Sequence, residues 1–147
     1  MASIRSGIGE NMNDRYLCKA KRTDNGEWVI GYVVKYGYTR KEKYYIVPDY
    51  ASDLYAIEVD PSTLCQCTGL KDKNSKLIWE NDIIECKDGK RNFQTQIEWD
   101  AYCAGFIFQD TETSAVGLDA ITANGLYSES KVIGNIFDNK DLLESEE

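Results

Sequence analysis

The sequence predicts an all-β protein of short antiparallel strands with little helix. Three observations lead there. Runs rich in tyrosine, tryptophan and β-branched residues alternate apolar with polar at the two-residue period of a half-buried strand. Turn-forming clusters separate these runs about every eight to twelve residues, the spacing of a sandwich or small barrel. Only two segments suggest any helix: 116–126, weakened by Gly117 and Gly125, and a terminal turn at 138–143.

In chain order, residues 1–14 read as a mobile tail without a period, in which Met12 is a candidate alternative start. A strand over 16–22 runs into Asp24-Asn25-Gly26, a strong hairpin signal because Asn and Gly accept positive φ. The return strand, 28–36, places Trp28, Ile30, Tyr32, Val34 and Tyr36 on one face. A polar link at 37–42 leads to a strand at 43–47 that Pro48 ends, and 55–59 forms another short strand. Asp60-Pro61 marks a seam between a hairpin region, 15–59, and a second region, 60–143.

Beyond the seam, 64–68 is a strand and 69–75 a loop, followed by strands at 77–79 and 82–86. Asp88-Gly89-Lys90 turns the chain into 93–99, with Phe93, Thr95, Ile97 and Trp99 facing inward. Strands at 105–108 and 132–137 complete the set, and 144–147 is an acidic, solvent-facing tail. Trp28, Trp79 and Trp99 all fall on alternating apolar faces and are expected in the core.

Composition narrows the chemistry. The 147 residues suit one domain, or one with a small appendage, and can bury a core. Histidine is absent, which excludes Ser–His and Cys–His nucleophile pairs and every histidine metal site. No apolar run approaches the ~18 residues of a membrane span, so no membrane role is expected. The net charge of −8 is uneven: residues 15–43 carry eight basic and three acidic groups, and 44–147 carry eight basic and 20 acidic. Five cysteines, an odd number, with no apolar leader at the start, suggest free thiols in a reducing cytoplasm. Cys65 and Cys67 alternate onto one strand face and read as small buried side chains. The paired knuckles of a zinc site are missing, so no metal or cofactor is expected.

The run from Asp60 to Ile84 resembles the signature of the YopX family, small proteins carried by phages and prophages of bacteria. The family pattern T-G-x-x-D-x-x-G-x-x-I-x-x-G-D-I is matched by Thr68, Gly69, Asp72, Ile78, Asp82 and Ile83. Two family glycines are replaced, by Ser75 and Asn81. Asn tolerates positive φ, so Asn81 is a mild departure, whereas Ser75 suggests a looser turn. The opening Arg15-Tyr16-Leu17 with the segment 25–31, and the closing Val132-Ile133-Gly134-Asn135-Ile136-Phe137-Asp138-Asn139, also resemble the family. The resemblance implies a small SH3-like barrel within 60–143, a phage or prophage origin, a location in the host cytoplasm and no established enzymatic activity. The motif residues Thr68, Gly69, Asp72, Ile78, Asp82, Gly134 and Asn135 read as architecture, since Gly, Asn and Asp have ready uses at turns.

Three functional readings follow. The first is a non-enzymatic interaction module that self-associates into a homo-oligomer and binds a host or phage protein, using surface aromatics and strand edges. The alternative is a nucleic-acid binder with Lys19, Lys21, Arg22, Arg40, Lys41 and Lys43 interleaved among tyrosines, a composition that suits single strands. The third is a magnesium nuclease built on Pro48-Asp49 and Glu85-Cys86-Lys87. The acid-x-lysine element recurs at Glu85/Lys87, Asp88/Lys90, Glu129/Lys131 and Asp138/Lys140 and so carries little information. No catalytic residue is assigned, and the first reading is preferred.

Overall fold

The computed structural model describes residues 14–37, 42–51, 55–88, 91–112, 114–121, 125 and 127–144. Expectations for 1–13, Arg40, Lys41, Gly89, Lys90 and 145–147 lie outside these residues. The all-β class stands, with antiparallel ladders throughout. The chain divides into two compact units, one ending at Cys67 and the other starting at Thr68.

The first unit is a meander of β1 (Cys18–Lys21), β2 (Trp28–Tyr36), β3 (Lys43–Pro48) and β4 (Ile57–Val59), each pairing with the next. The first turn forms as its sequence demands: Gly26 takes φ 74°, its N–H donates to the Arg22 carbonyl (3.0 Å), and Asn25 Oδ1 accepts from the Glu27 amide (2.9 Å). Gly31 lies opposite Pro48, and a Cβ there would stand 2.0 Å from the Val47 carbonyl oxygen, so only glycine fits. Ala20, Val29, Ile46 and Val59 form the core, with Tyr44, Ile57 and Leu64 packed against them.

This meander curls back on itself. Arg22 bridges Val59, the Thr23 amide donates to the Glu58 carbonyl (3.2 Å) and the Asp60 amide to the Lys21 carbonyl (2.8 Å). The edge of β4 thereby returns to the end of β1 around the core. Asp60 then caps a 3₁₀ turn, Pro61–Thr63, accepting from the Ser62 amide (3.0 Å), and β5 (Cys65–Lys71) pairs with β1 through Cys18↔Gln66 and Lys19↔Cys65. Cys65 and Cys67 are both buried, as their alternation predicts.

In the second unit the later residues of β5 turn at 72–75 into β6 (Leu77–Trp79), its neighbour in the sheet. A three-stranded sheet orders β12 (Lys131–Asn135), β7 (Asp82–Asp88) and β8 (Arg91–Gln96). A second orders β11 (Ala115–Gly117), β10 (Gly105–Gln109) and β9 (Glu98–Asp100). The core gathers Ile78, Ile84, Phe93, Ile97, Phe108 and Leu118, with Tyr127 at one side. The ladders among the described residues do not close into the barrel expected for 60–143; the pairing that curls back lies in the first unit.

Two smaller expectations change. The alternation through 93–99 does not carry one strand: β8 stops at Gln96 and β9 pairs with β10 instead, so Trp99 is 47% exposed, edge-on to Phe106. Trp79 is buried and Trp28 half-buried. As expected, the described residues of 116–126 hold one helical turn, the 3₁₀ turn Leu118–Ile121, and the terminal turn forms as α1 (Asp141–Glu144).

Candidate functional site

The family-motif residues hold turns together. Thr68 Oγ1 donates to the Ile78 carbonyl (2.7 Å) and accepts from the Leu70 amide (3.1 Å), while Gly69 takes φ 81°. Asp72 is buried and its carboxylate accepts three backbone N–H groups. Asn74 (2.8 Å) and Lys76 (3.0 Å) donate to Oδ1, and Val132 of β12 (2.9 Å) donates to Oδ2. The turn is closed by Ser75 N–H to the Asp72 carbonyl (3.0 Å), with Ser75 at φ 63°. The looser turn expected there is therefore not formed; serine adopts the left-handed conformation a glycine would take, held by the Asp72 bonds.

Asn81 likewise sits at φ 71°. Its amide donates to the Ile97 carbonyl (2.8 Å) and its Oδ1 accepts from Gln96 Nε2 (3.0 Å). Buried Asp82 accepts from the Trp79 amide (2.9 Å). Ile78 is core. At Gly134 a Cβ would lie 2.5 Å from Asn139 Oδ1, the atom that accepts from the Asn135 amide (3.2 Å). Asn135 Oδ1 in turn accepts from the amides of Phe137 and Asp138 (2.9 Å each). Every polar motif side chain is thus occupied with neighbouring backbone.

The basic candidates are engaged locally. Lys19 and Lys21 lie over the Trp28 ring, their Nζ atoms 4.7 and 5.4 Å from its centroid. Arg22 holds Asp24 through both carboxylate oxygens (2.9 and 2.7 Å), which raises the arginine and lowers the aspartate from their ordinary pKa values. Lys43 faces Glu58 at 3.8 Å. Lys21, Arg22 and Lys43 share a groove of about 390 Å³ where β4 returns to β1, but Glu42, Glu58 and Asp60 line it too. The result is a mixed-charge mouth rather than a positive track.

The alternating residues of β2 share a face, half-buried at Trp28 and exposed from Ile30 onward. Ile30 is 38% exposed, Tyr32 43%, Val34 46% and Tyr36 72%. Tyr45 and Val47 stand beside Val34 and Tyr32 on β3. Val34, Tyr36, Tyr45 and Ala56 line a shallow apolar dish of about 270 Å³. Single exposed apolar residues are ordinary; here four lie in one row along the strand.

A buried ionic cluster in the second unit has no signature in the sequence. Asp110, its side chain fully buried, receives Arg91 through both oxygens (2.7 and 3.0 Å), the Tyr127 hydroxyl and the Glu112 amide (2.8 Å). The Arg91 guanidinium holds this carboxyl well below the usual carboxylate range. Tyr127 packs edge-on against Phe93 and Phe108, so the cluster anchors the core. Arg91, Asp110 and Tyr127 are separated in the chain and follow no local period, so nothing in the sequence pairs them.

Burial pushes the Cys86 thiol up to about 11, which leaves it inert at neutral pH. Glu85, one of the acidic groups of the nuclease reading, faces Lys131 across the β7–β12 ladder at 4.0 Å. Among the described residues no three Asp, Glu, Cys or His side chains converge as ligands for an ion. No helix among them is long and apolar enough to cross a membrane.

Fold and surface together define an all-β protein of two antiparallel units, with backbone-binding motif residues and an outward aromatic strand face. The chain belongs to the YopX family: the family model described as YopX protein matches residues 10–144. Among solved structures it is similar to the crystal structure of protein EF1440 from Enterococcus faecalis, with 23% identity and a TM-score of 0.53. That match covers 86% of this chain and 96% of the other, and it is a likeness of fold. No curated protein matches the chain.

Proposed function

We propose that this YopX-family chain is a phage- or prophage-encoded, non-enzymatic interaction module that self-associates and binds a host or phage protein in the bacterial cytoplasm. The observation that carries the reading is the outward apolar face of β2, where Ile30, Tyr32, Val34 and Tyr36 lie in one exposed row. Covering such a row removes apolar area from water, the main driving force for association. The nucleic-acid alternative draws less support, because Arg22 and Lys43 each face a carboxylate and the whole chain is acidic.

Size-exclusion chromatography with light scattering, read at 260 and 280 nm, tests both. The expected result is a nucleic-acid-free multiple of the chain mass. A monomer at micromolar concentration overturns self-association. Excess 260 nm absorbance that high salt strips away would replace the reading with nucleic-acid binding.

A further inference from the structure

The backbone of β2 is paired unevenly. On one side β3 follows it from Gly31 to Tyr36. On the other side β1 follows it only from Trp28 to Gly31, its last partner there being Cys18. Just before Cys18 the chain is in a turn, the Leu17 amide donating to the Asp14 carbonyl (3.0 Å). Among the described residues no strand pairs with 32–36 on this side. The Asp49 amide donates to the Ile30 carbonyl (3.1 Å), so Ile30, Tyr32, Val34 and Tyr36 aim their backbone groups at β3. Val33 and Lys35 therefore aim theirs at the open side. All five residues, 32–36, are exposed. Extended, apolar and unpaired strand edges recruit another strand.

Resting on the self-association reading above, we infer that the open edge of β2 pairs antiparallel with the same edge of a second copy, about a two-fold axis at Val34. The side chains choose both occupant and register. Centred on Val34, the pairing sets Val33 opposite Lys35 of the second copy, and both residues of that pair present amide and carbonyl to each other. Val34 meets its own copy, and Tyr32 meets Tyr36, so the exposed row continues across the axis as aromatic and β-branched pairs. Centring on Lys35 would oppose two lysines directly, each held by its own Glu42 (3.1 Å), and would set Val34 against Tyr36 in place of the tyrosine pair. Centring on Val33 would set Lys35 against Gly31, whose edge β1 already occupies. One register satisfies backbone, charge and apolar surface together, which is why a second copy fits this edge better than an unrelated strand. The contact is isologous.

Four variants test it, two read by light scattering and two cysteine variants by non-reducing electrophoresis, with circular dichroism as the folding control. Val33→Pro removes an amide that points to the open edge and no bond of the β2–β3 ladder. Val34→Lys places like charges at the axis on an already exposed position. Both are expected to lower the assembly mass by half or more while the fold persists. In a Cys103→Ser background, Val34→Cys is expected to form a disulfide-linked dimer under mild oxidation, because non-hydrogen-bonded antiparallel partners have Cα atoms about 4.5 Å apart; Tyr36→Cys is expected not to. If the unmodified chain is monomeric, self-association fails and this inference with it. If it is multimeric, and Val34→Lys keeps the full mass or Val34→Cys stays uncrosslinked, self-association stands and the β2 edge is refuted. Should Val33→Pro fail to fold, the lysine and cysteine variants decide.

Discussion

Replacing Asp72 tests whether the central motif residue is architectural. Its carboxylate accepts from the amides of Asn74, Lys76 and Val132, joining the turn before β6 to the strand β12. Alanine deletes all three bonds. The Asn74 and Lys76 amides lie in an exposed turn that water re-solvates, so each loss costs about 0.5–1 kcal/mol; the half-buried Val132 amide loses a charge-assisted partner worth about 1.5–3 kcal/mol. The sum is about 2.5–5 kcal/mol. Asparagine keeps one oxygen for the turn but presents an NH₂ to the Val132 amide, donor against donor, at a cost of about 1–2 kcal/mol. Urea unfolding followed by tryptophan fluorescence, with buried Trp79 as the reporter of this unit, should rank the midpoints Asp above Asn above Ala with little change in slope. An alanine variant within about 1 kcal/mol of the parent, or an asparagine variant indistinguishable from it, would refute the argument and recast Asp72 as a binding residue.

Two other perturbations have definite signs. Asp110→Asn should cost about 2–3 kcal/mol at neutral pH, below the range for a fully buried pair because Arg91 is 26% exposed. Since the folded carboxyl titrates below its ordinary value, its contribution is complete above about pH 4 and is lost as the pH falls from there towards the folded pKa. Melting curves from pH 7 to pH 2 should show the parent converging on the variant, and a constant gap throughout would sink this account. Ser75→Gly relieves a left-handed serine worth about 1–2 kcal/mol and adds about 0.5–1 kcal/mol of unfolded-state entropy. A net gain of about 0.5 kcal/mol in urea is expected, and a loss would show that the turn is not strained at Ser75.

The parts of the fold legible in the sequence depend on near neighbours. The Asn25-Gly26 turn, the one-sided alternation of β2 and the burial of Cys65 and Cys67 all follow from two-residue periods and turn chemistry. The left-handed position at Asn81 is legible because a glycine occupies it in the family pattern, whereas at Ser75 the sequence points to a looser turn and the structure holds a left-handed serine. What alternation cannot convey is a change of partner. The apolar period continues through Ile97 to Trp99 although the strand there leaves one sheet for another, so an expected core ring ends on the surface. It also cannot say which face of β2 is covered. The return of β4 to β1 and the Arg91–Asp110–Tyr127 cluster join residues far apart in sequence, and only the folded path brings them together. Of the candidate site, the aromatic row is visible as a pattern, while the neutralisation of Arg22 and Lys43 by Asp24 and Glu58 requires the structure.

The return of β4 to β1 also orders events during synthesis. β1, β2 and β3 can zip as successive local hairpins while the chain is still being made, but Arg22 meets Val59 only after the whole first unit has left the ribosome. Until then the free edges of β1 and β3 are open to neighbouring nascent chains, and translation slowed before Val59 lengthens that exposure. The three residues of β4 take the open edge of β3, and β5, made later still, takes that of β1.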